Sequence, residues 1–371
     1  MKQKIAVLSC GWSYNFIQDF LAGMKRATKY KCVDLYVFNA YNFTEFSGLP
    51  NTTGYSIFNL IKYEDYDGIV LLSDLINNNR VLEKERLRII KSGKPAVSIN
   101  RKLEGLGHIS IDNYSGFYEI MTHLIIDHGC KDFAFLGGRE TNINFAERYK
   151  AYRTALADNN VKSSFENVHQ IEASNYHLAY NFMKDYIESE KTVPEVLVCA
   201  NDLTALGALK ACEENEIDVP GKMKIVGYDD NVFSKSINPA LTTVSSNAEQ
   251  VGFEVASRIL SGSTENVALK VKSSPIFRRS CGCEYSKKEQ QVQSNLSFMN
   301  EMSRSQEFNV QLEKIEEIFT EAGDIFTLLT NLENFFGKSH HFEGEDFCIF
   351  LKSDWSSVLI NSEENLPQNL D

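Results

Sequence analysis

The sequence predicts an α/β chain, with two doubly wound parallel-sheet lobes followed by a helical C-terminal extension. Three observations carry this expectation. Short apolar runs alternate with amphipathic stretches through the first 280 residues, which is the pattern of repeated βαβ units. Most of the runs are apolar on both faces, as strands covered by helices on either side must be. A stretch of this length exceeds what one compact sheet organises, so two lobes are expected.

The runs are Ile5–Cys10, Leu35–Phe38, Gly68–Ser73, Pro95–Asn100, His108–Asp112, Phe133–Gly138, Val196–Asn201 and Lys224–Asp230. Most are four to six residues long and end in Gly, Asn, Asp or Ser, so they read as buried strands. Between them lie Phe16–Lys29, Glu83–Ser92, Tyr114–His128, Arg148–Asn159, Tyr176–Ser189 and Leu203–Asn215, which read as helices. After Cys283 the texture changes. Phe308, Leu312, Ile315, Phe319, Ala322, Phe326 and Leu329 are spaced 4-3-4-3-4-3, a heptad seam suited to self-association or to a plain amphipathic helix. Gly323-Asp324 would split it if Asp324 capped a second helix. Residues 338–371 hold one strand candidate, Phe347–Leu351, in a segment that reads as an incomplete domain.

Charge and composition narrow the function. The net charge is −12, and residues 286–371, with 16 acids and 6 bases, contribute −10 of it. With no basic stripe, direct nucleic-acid binding by this chain is not expected. No run of eighteen apolar residues exists, so no membrane helix is expected. Met1-Lys2-Gln3-Lys4 passes straight into Ile5-Ala6-Val7-Leu8 without the apolar segment and cleavage site of a signal peptide, which points to the cytoplasm. Cys10, Cys32, Cys130, Cys199 and Cys212 are scattered and read as reduced core cysteines. Cys281-Gly282-Cys283 is a lone CxC, a weak metal signal without a second pair. The seven histidines show no HExxH or other metal spacing. Neither a metal nor a cofactor is therefore expected.

In open α/β sheets ligands bind beyond the carboxyl ends of the strands. The residues there are Gly11-Trp12-Ser13-Tyr14, Ser73-Asp74, Asn100-Arg101, Asp112-Asn113, Gly137-Gly138, Asn201-Asp202 and Tyr228-Asp229-Asp230. Asp, Asn and Arg forks with aromatic faces suit a polyhydroxylated ligand. Each such residue has a plainer reading too: Asn201 or Asp202 could simply cap the helix that follows, and Trp12 and Tyr14 could pack between lobes. Gly137-Gly138 lacks a phosphate-loop pattern, and Ser13 and Ser73 lack a nucleophile-elbow context. No catalytic constellation assembles.

Several stretches together resemble the effector-binding domain of the LacI/GalR-type (lactose-repressor) family. They are His108-Ile-Ser-Ile-Asp-Asn113, His123-Leu-Ile-Ile-Asp-His-Gly129 leading to Phe133–Gly138, and Glu147–Leu156. Cys199-Ala-Asn-Asp-Leu-Thr-Ala-Leu-Gly-Ala208, Ile225–Asp230 and Asn238–Val244 follow. The resemblance covers roughly residues 4–280 and implies the type I periplasmic-binding-protein fold. It implies effector contacts at Arg148, Asn201 and Asp229, with Trp12 and Tyr14 in a loop lining the cleft. Ser73, Asn100 and Arg101 complete the expected ligand set. Ser246 and Ser115 stand where some members carry a contacting glutamine and aspartate. The family's N-terminal helix-turn-helix has no counterpart here, and the helical tail resembles sensors placed before an output module such as a diguanylate cyclase or an AraC-type domain.

The expected first lobe is residues 1–128 plus 244–267, and the second 129–243 plus 268–283. Residues 284–337 form a helical linker or dimerisation segment, and 338–371 the incomplete domain or a tail. Three hinge crossings are expected, near His128–Lys131, Leu241–Val244 and Ala268–Val271. Closure on a sugar-like effector would be relayed through Leu296–Phe336 to an output domain or partner, in a homodimer. The alternatives are a solute-binding protein of a transport system and a cleft for a protein partner.

Overall fold

The computed structural model describes residues 2–11, 14–40, 53–138, 143–162, 168–171, 176–189, 192–262 and 268–283, together with Thr327, Thr330 and Asn331. The chain divides into two compact units, Met1–Glu301 and Met302–Asp371. In the second, the three described residues are helical. The heptad positions from Phe308 to Leu329 and the strand candidate Phe347–Leu351 lie outside the described residues, as does Trp12.

The first unit holds two parallel sheets. Strands β1 (Gln3–Cys10), β2 (Val33–Ala40), β3 (Gly68–Leu71), β4 (Ala96–Ile99), β5 (Gly107–Asp112) and β11 (Ala268–Lys272) form one, in the order β11-β5-β4-β3-β1-β2. Every pairing in it is parallel. Strands β6 (Phe133–Gly137), β7 (Val168–Gln170), β8 (Val196–Cys199) and β9 (Lys224–Val226) form the other, in the order β7-β6-β8-β9, also parallel throughout. A two-stranded antiparallel ladder joins β10 (Thr243–Ser245) to β12 (Ser274–Ile276). All eight expected strands are present; β7, β10, β11 and β12 are additional.

The helices cover the sheet faces. They are α1 (Tyr14–Thr28), α2 (Asn79–Ser92), α3 (Ser115–Ile126), α4 (Ile143–Asp158), α5 (Tyr176–Glu188), α6 (Asp202–Glu214), α7 (Val232–Ser236) and α8 (Ala248–Ser261). On one face of the six-stranded sheet, Phe20 and Met24 of α1 and Val251, Val255 and Ile259 of α8 pack on Ile5, Val7, Val70 and Val97. The opposite face carries Tyr55, Phe58 and α2 residues Val81, Leu82 and Ile89 over Leu8, Ile69 and Leu71. Helices α1 and α8 cross in close contact through glycines. A Cβ on Gly23 would sit 1.8 Å from the Glu249 carbonyl oxygen, and one on Gly252 would sit 1.9 Å from that of Phe20. Asn78 caps α2 by accepting from the Arg80 and Val81 amides, and Gly93 ends it at φ 65°.

The lobe boundaries differ from those expected. Helix α3 was placed in the first lobe, ending at residue 128. Its apolar face, Phe117, Ile120, Met121 and Leu124, instead joins the core of the second lobe with Phe133, Tyr152, Ala155 and Val198. The first crossing therefore falls at Asp112–Ser115 rather than His128–Lys131. Residues 268–272 were assigned to the second lobe and its hinge, yet they form an edge strand of the first lobe, with Ala268 beside His108 and Lys272 beside Asp112. The third crossing moves to Ser273. The second moves from Leu241–Val244 to Ser245–Asn247, just before α8. The alternation that marks strand and helix says which residues are buried, and packing decides against what.

These crossings are tied side by side. The Ser273 hydroxyl donates to the Asp112 carbonyl at 2.5 Å and accepts from the Gly116 amide at 3.2 Å. Asn247 donates to the Lys272 carbonyl at 2.7 Å and to Ser274 Oγ at 3.0 Å. A Cβ on Gly116 would lie 2.7 Å from both Ser273 Oγ and Val244 Cγ1, so this position tolerates nothing larger than hydrogen without a shift.

Candidate functional site

A continuous chain of hydrogen bonds runs from one lobe to the other beyond the strand ends. It starts at Asn100, just after β4, where φ is 64°. Asn100 Oδ1 accepts from the Ile111 amide at 2.9 Å, which turns its amide nitrogen to Asp74 Oδ2 at 2.5 Å. Asp74 also accepts from Asn144 of α4 at 3.4 Å, across the lobes. Asn144 Oδ1 accepts from Asn113 at 3.1 Å. Asn113 Oδ1 then receives two donors from Arg148, Nε at 3.1 Å and Nη2 at 3.0 Å.

Arg148 is the centre of the chain. It is 7% exposed, and a guanidinium held there needs its donors satisfied. Its Nη1 donates to the Ala200 carbonyl at 2.8 Å and its Nη2 reaches Asp229 Oδ1 at 3.4 Å. The guanidinium lies 3.5 Å from the ring centroid of buried Tyr228, in cation–π geometry, with Phe145 at 5.6 Å. Asp229 adopts φ 117°, a left-handed conformation in which its amide donates to the Val244 carbonyl at 2.9 Å. Its side chain keeps 48% of its surface exposed.

Burial raises the pKa of Asp74, against the pull of hydrogen bonds from Asn100 and Asn144. The half-exposed Asp229 carboxylate sits instead beside the Arg148 charge. Asp74 Oδ1 is buried with no hydrogen-bond partner among the described residues. Burial pushes the Tyr228 phenol up to about 12, so it stays neutral under Arg148. A second link between lobes is ionic: Lys270 of β11 lies 3.3 Å from Glu147 of α4 and 3.5 Å from Asp112.

The expected ligand residues divide into two groups. Arg148, Asp229 and Asn100 join the chain. Asn201 is buried beside it and caps α6, its Oδ1 accepting from the Thr204 amide at 2.9 Å. Ser73 is fully buried, donating to the Ile99 carbonyl at 2.5 Å and accepting from Ser98 at 2.9 Å; it buttresses the β3 and β4 ends. Arg101 donates to Asn79 Oδ1 at 3.1 Å, away from the chain. Tyr14 opens α1. Ser115, offered as a departure from the family pattern, donates to Asp112 Oδ2 at 2.6 Å.

Asn144 was not anticipated, although it stands four residues before Arg148 and so shares its helix face. Asp74 and Asn113 were seen as strand-end residues without being assigned a contact. Cys10, Cys130, Cys199 and Cys212 are buried free cysteines, whereas Cys32 is exposed rather than in the core.

Comparison with known proteins places this geometry. Residues 122–281 match the family model described as a periplasmic binding protein-like domain. The transcriptional regulator RegA of Clostridium saccharobutylicum is 29% identical over 203 residues, which cover 54% of this chain and 59% of that protein. GalR of Lacticaseibacillus casei is 31% identical over 166 residues, 43% of this chain and 50% of that protein. The chain thus spans about half the length of these curated relatives. The solved structure of a CelR–cellobiose complex superposes with a TM-score of 0.62 at 21% identity, over 75% of this chain and 85% of that one. The lac repressor dimer bound to operator and an anti-inducer gives 0.61 at 16%, over 76% and 94%.

The described unit is therefore a two-lobed α/β domain of the periplasmic-binding-protein-like fold. More particularly, its sequence is similar to those of the transcriptional regulators RegA and GalR over about half their length. No helix among the described residues is long and apolar enough to cross a membrane.

Proposed function

We propose that this chain is a cytoplasmic ligand-sensing domain of a transcriptional or signalling regulator, without catalytic chemistry of its own. It binds a small polyhydroxylated, sugar-like effector between its lobes. The observation that carries the reading is the hydrogen-bonded chain Asn100–Asp74–Asn144–Asn113–Arg148–Asp229. It supplies donors and acceptors from both lobes, and a hydroxylated ligand can replace its two weakest links, the 3.4 Å contacts of Asn144 with Asp74 and of Arg148 with Asp229. Each replacement by a charge-assisted bond contributes about 1.5–3 kcal/mol, and contacts on both lobes bias the domain toward its closed form. The regulatory names of the relatives, and cellobiose in one structural neighbour's title, point the same way. Closure is read by a C-terminal output domain or a partner, in a homodimer, and this chain makes no direct contact with nucleic acid.

The test is a thermal-shift screen of the full chain over mono- and disaccharides, uronic acids, nucleosides and amino acids. A ligand at 100 times its dissociation constant adds about 2.7 kcal/mol of stability. A sugar that shifts the wild type but not Arg148→Met or Asp229→Asn supports the proposal. A shift with nucleosides or amino acids alone overturns the sugar assignment, and a shift unaffected by both substitutions removes this site.

A further inference from the structure

Away from the cleft, at the far end of α3, four side chains converge that the cleft does not use. His123, His128, Cys281 and Cys283 bring their donor atoms within 4.8 Å of one another. His123 Nε2 lies 3.2 Å from Cys283 Sγ and 3.0 Å from His128 Nε2. Cys283 Sγ lies 3.5 Å from His128 Nε2. We propose that these four residues form a structural zinc site.

The chemistry of the donor set selects the ion. Two thiolates and two imidazoles make a charge-neutral tetrahedral shell around Zn²⁺, one of its closed structural arrangements. With zinc–nitrogen and zinc–sulfur bonds of about 2.0 and 2.3 Å, the donors of a tetrahedron stand about 3.3–3.8 Å apart. The three observed separations sit within a few tenths of an ångström of that range. All four positions come from the protein, leaving none open for a reacting water, so the site is structural rather than catalytic.

The surroundings are those a histidine–metal site requires. His123 Nδ1 lies 2.6 Å from Asp127 Oδ2, which fixes the ring and leaves Nε2 as the ligand atom, the usual carboxylate–histidine–metal relay. The Phe277 ring packs on His123 with centroids 4.2 Å apart. Cys281 is fully buried. Gly282 has φ 97°, the turn that brings both flanking sulfurs to one side, and a Cβ there would press on His128 Cε1 at 3.3 Å. The expectation of no metal, drawn from the lone CxC, is revised: its partners are His-x4-His, 153 residues away from Cys281 to His128 in sequence.

The consequence is mechanical. The site pins the C-terminal end of α3 and the 127–130 turn to the segment by which the chain leaves the second lobe. The experiment uses the full chain purified under reducing conditions and analysed by mass spectrometry for metals. Zinc at about one equivalent per chain is expected, falling below about a tenth in Cys283→Ser and His123→Ala but unchanged in Cys32→Ser. Should either ligand variant fail to fold by circular dichroism, cobalt titration of chelator-stripped wild type decides: tetrahedral ligand-field bands with a thiolate charge-transfer band support the site. Octahedral cobalt spectra, no metal uptake by the reduced protein, or a Cys281–Cys283 disulfide that persists in reductant would overturn it.

Discussion

Replacing Arg148 by methionine tests the cleft most directly, because it keeps the aliphatic stem over Tyr228 and deletes only the guanidinium. Two acceptors then lose their donors in a buried setting, Asn113 Oδ1 and the Ala200 carbonyl. Each unsatisfied acceptor costs about 1–3 kcal/mol. Loss of the cation–π contact with Tyr228 adds about 1–2 kcal/mol. The Asp229 contact adds little, since that carboxylate is half exposed at 3.4 Å, where ion pairs are worth about 0–1 kcal/mol. The expected destabilisation is about 3–8 kcal/mol, so Arg148 is a main support of the fold. Followed by far-UV circular dichroism in urea, with a slope of about 3 kcal/mol per M, the midpoint falls by about 1–2.7 M. A double-mutant cycle sharpens the result: coupling between Arg148 and Asn113 exceeds that between Arg148 and Asp229, which stays below about 1 kcal/mol. An unchanged midpoint in Arg148→Met, or the reverse order of couplings, refutes the assignment of Arg148 as the buried centre of the chain.

Four further outcomes are expected. Burial alone would raise the pKa of Asp112, but hydrogen bonds from Ser115 and Tyr114 and the Lys270 charge hold it below the ordinary carboxylate range. Its contribution is therefore present at neutral pH and lost as pH falls through that depressed value; Asp112→Ala costs about 1 kcal/mol at pH 7, and its denaturation midpoint converges on that of wild type only once the pH lies below that value. Gly23→Ala drives a methyl into the Glu249 carbonyl oxygen and lowers stability by at least about 2 kcal/mol without touching ligand affinity. Gly116→Ala, at the hinge, changes affinity as well, which isothermal titration with the screened ligand would read. Removing zinc from the chain speeds amide exchange in 277–283 and the last turn of α3 while leaving α4 protected; uniform acceleration across the lobe would contradict a local clamp.

Most of the strands are legible because burial on both faces leaves an uninterrupted apolar signature; Ile5–Cys10 is buried at all six positions. The elements missed lack that signature. Ala268–Lys272 alternates Leu and Val with lysine, as an edge strand does, and so lacks the continuous apolar run by which a buried strand is read. Strands β7, β10 and β12 have three residues each, too few for a period to register. Within the site, Arg148 is legible through resemblance alone, and Asp229 also from its place at a strand end. Asn144 was legible only through its spacing from Arg148. Asn201 shows the reverse case, where capping and ligand contact demand the same residue type and geometry settles its present partner. The His–Cys cluster was illegible because its halves lie on opposite sides of most of the second lobe's sequence and meet only when α3 packs on that lobe.

The position of α3 connects these findings. Its N-terminus is held at the first crossing by Asp112, through the amides of Tyr114 and Ser115, and touches the third crossing where Gly116 meets Ser273. Asn113, two residues before it, accepts from Arg148. Its C-terminal turn presents His123 to Cys283, at the last described residue of the lobe. Twelve residues of helix span about 18 Å, so one stiff element has the cleft at its start and the chain's exit at its end. A flexible exit would dissipate any shift at the hinge, because an untethered segment takes up displacement in its own torsions. A metal that locks the exit to the helix removes those torsions and turns a movement at Asp112–Gly116 into a movement of whatever follows Cys283. A relay of this kind needs no chain of rearranged side chains between its ends, only one rigid helix gripped firmly at both.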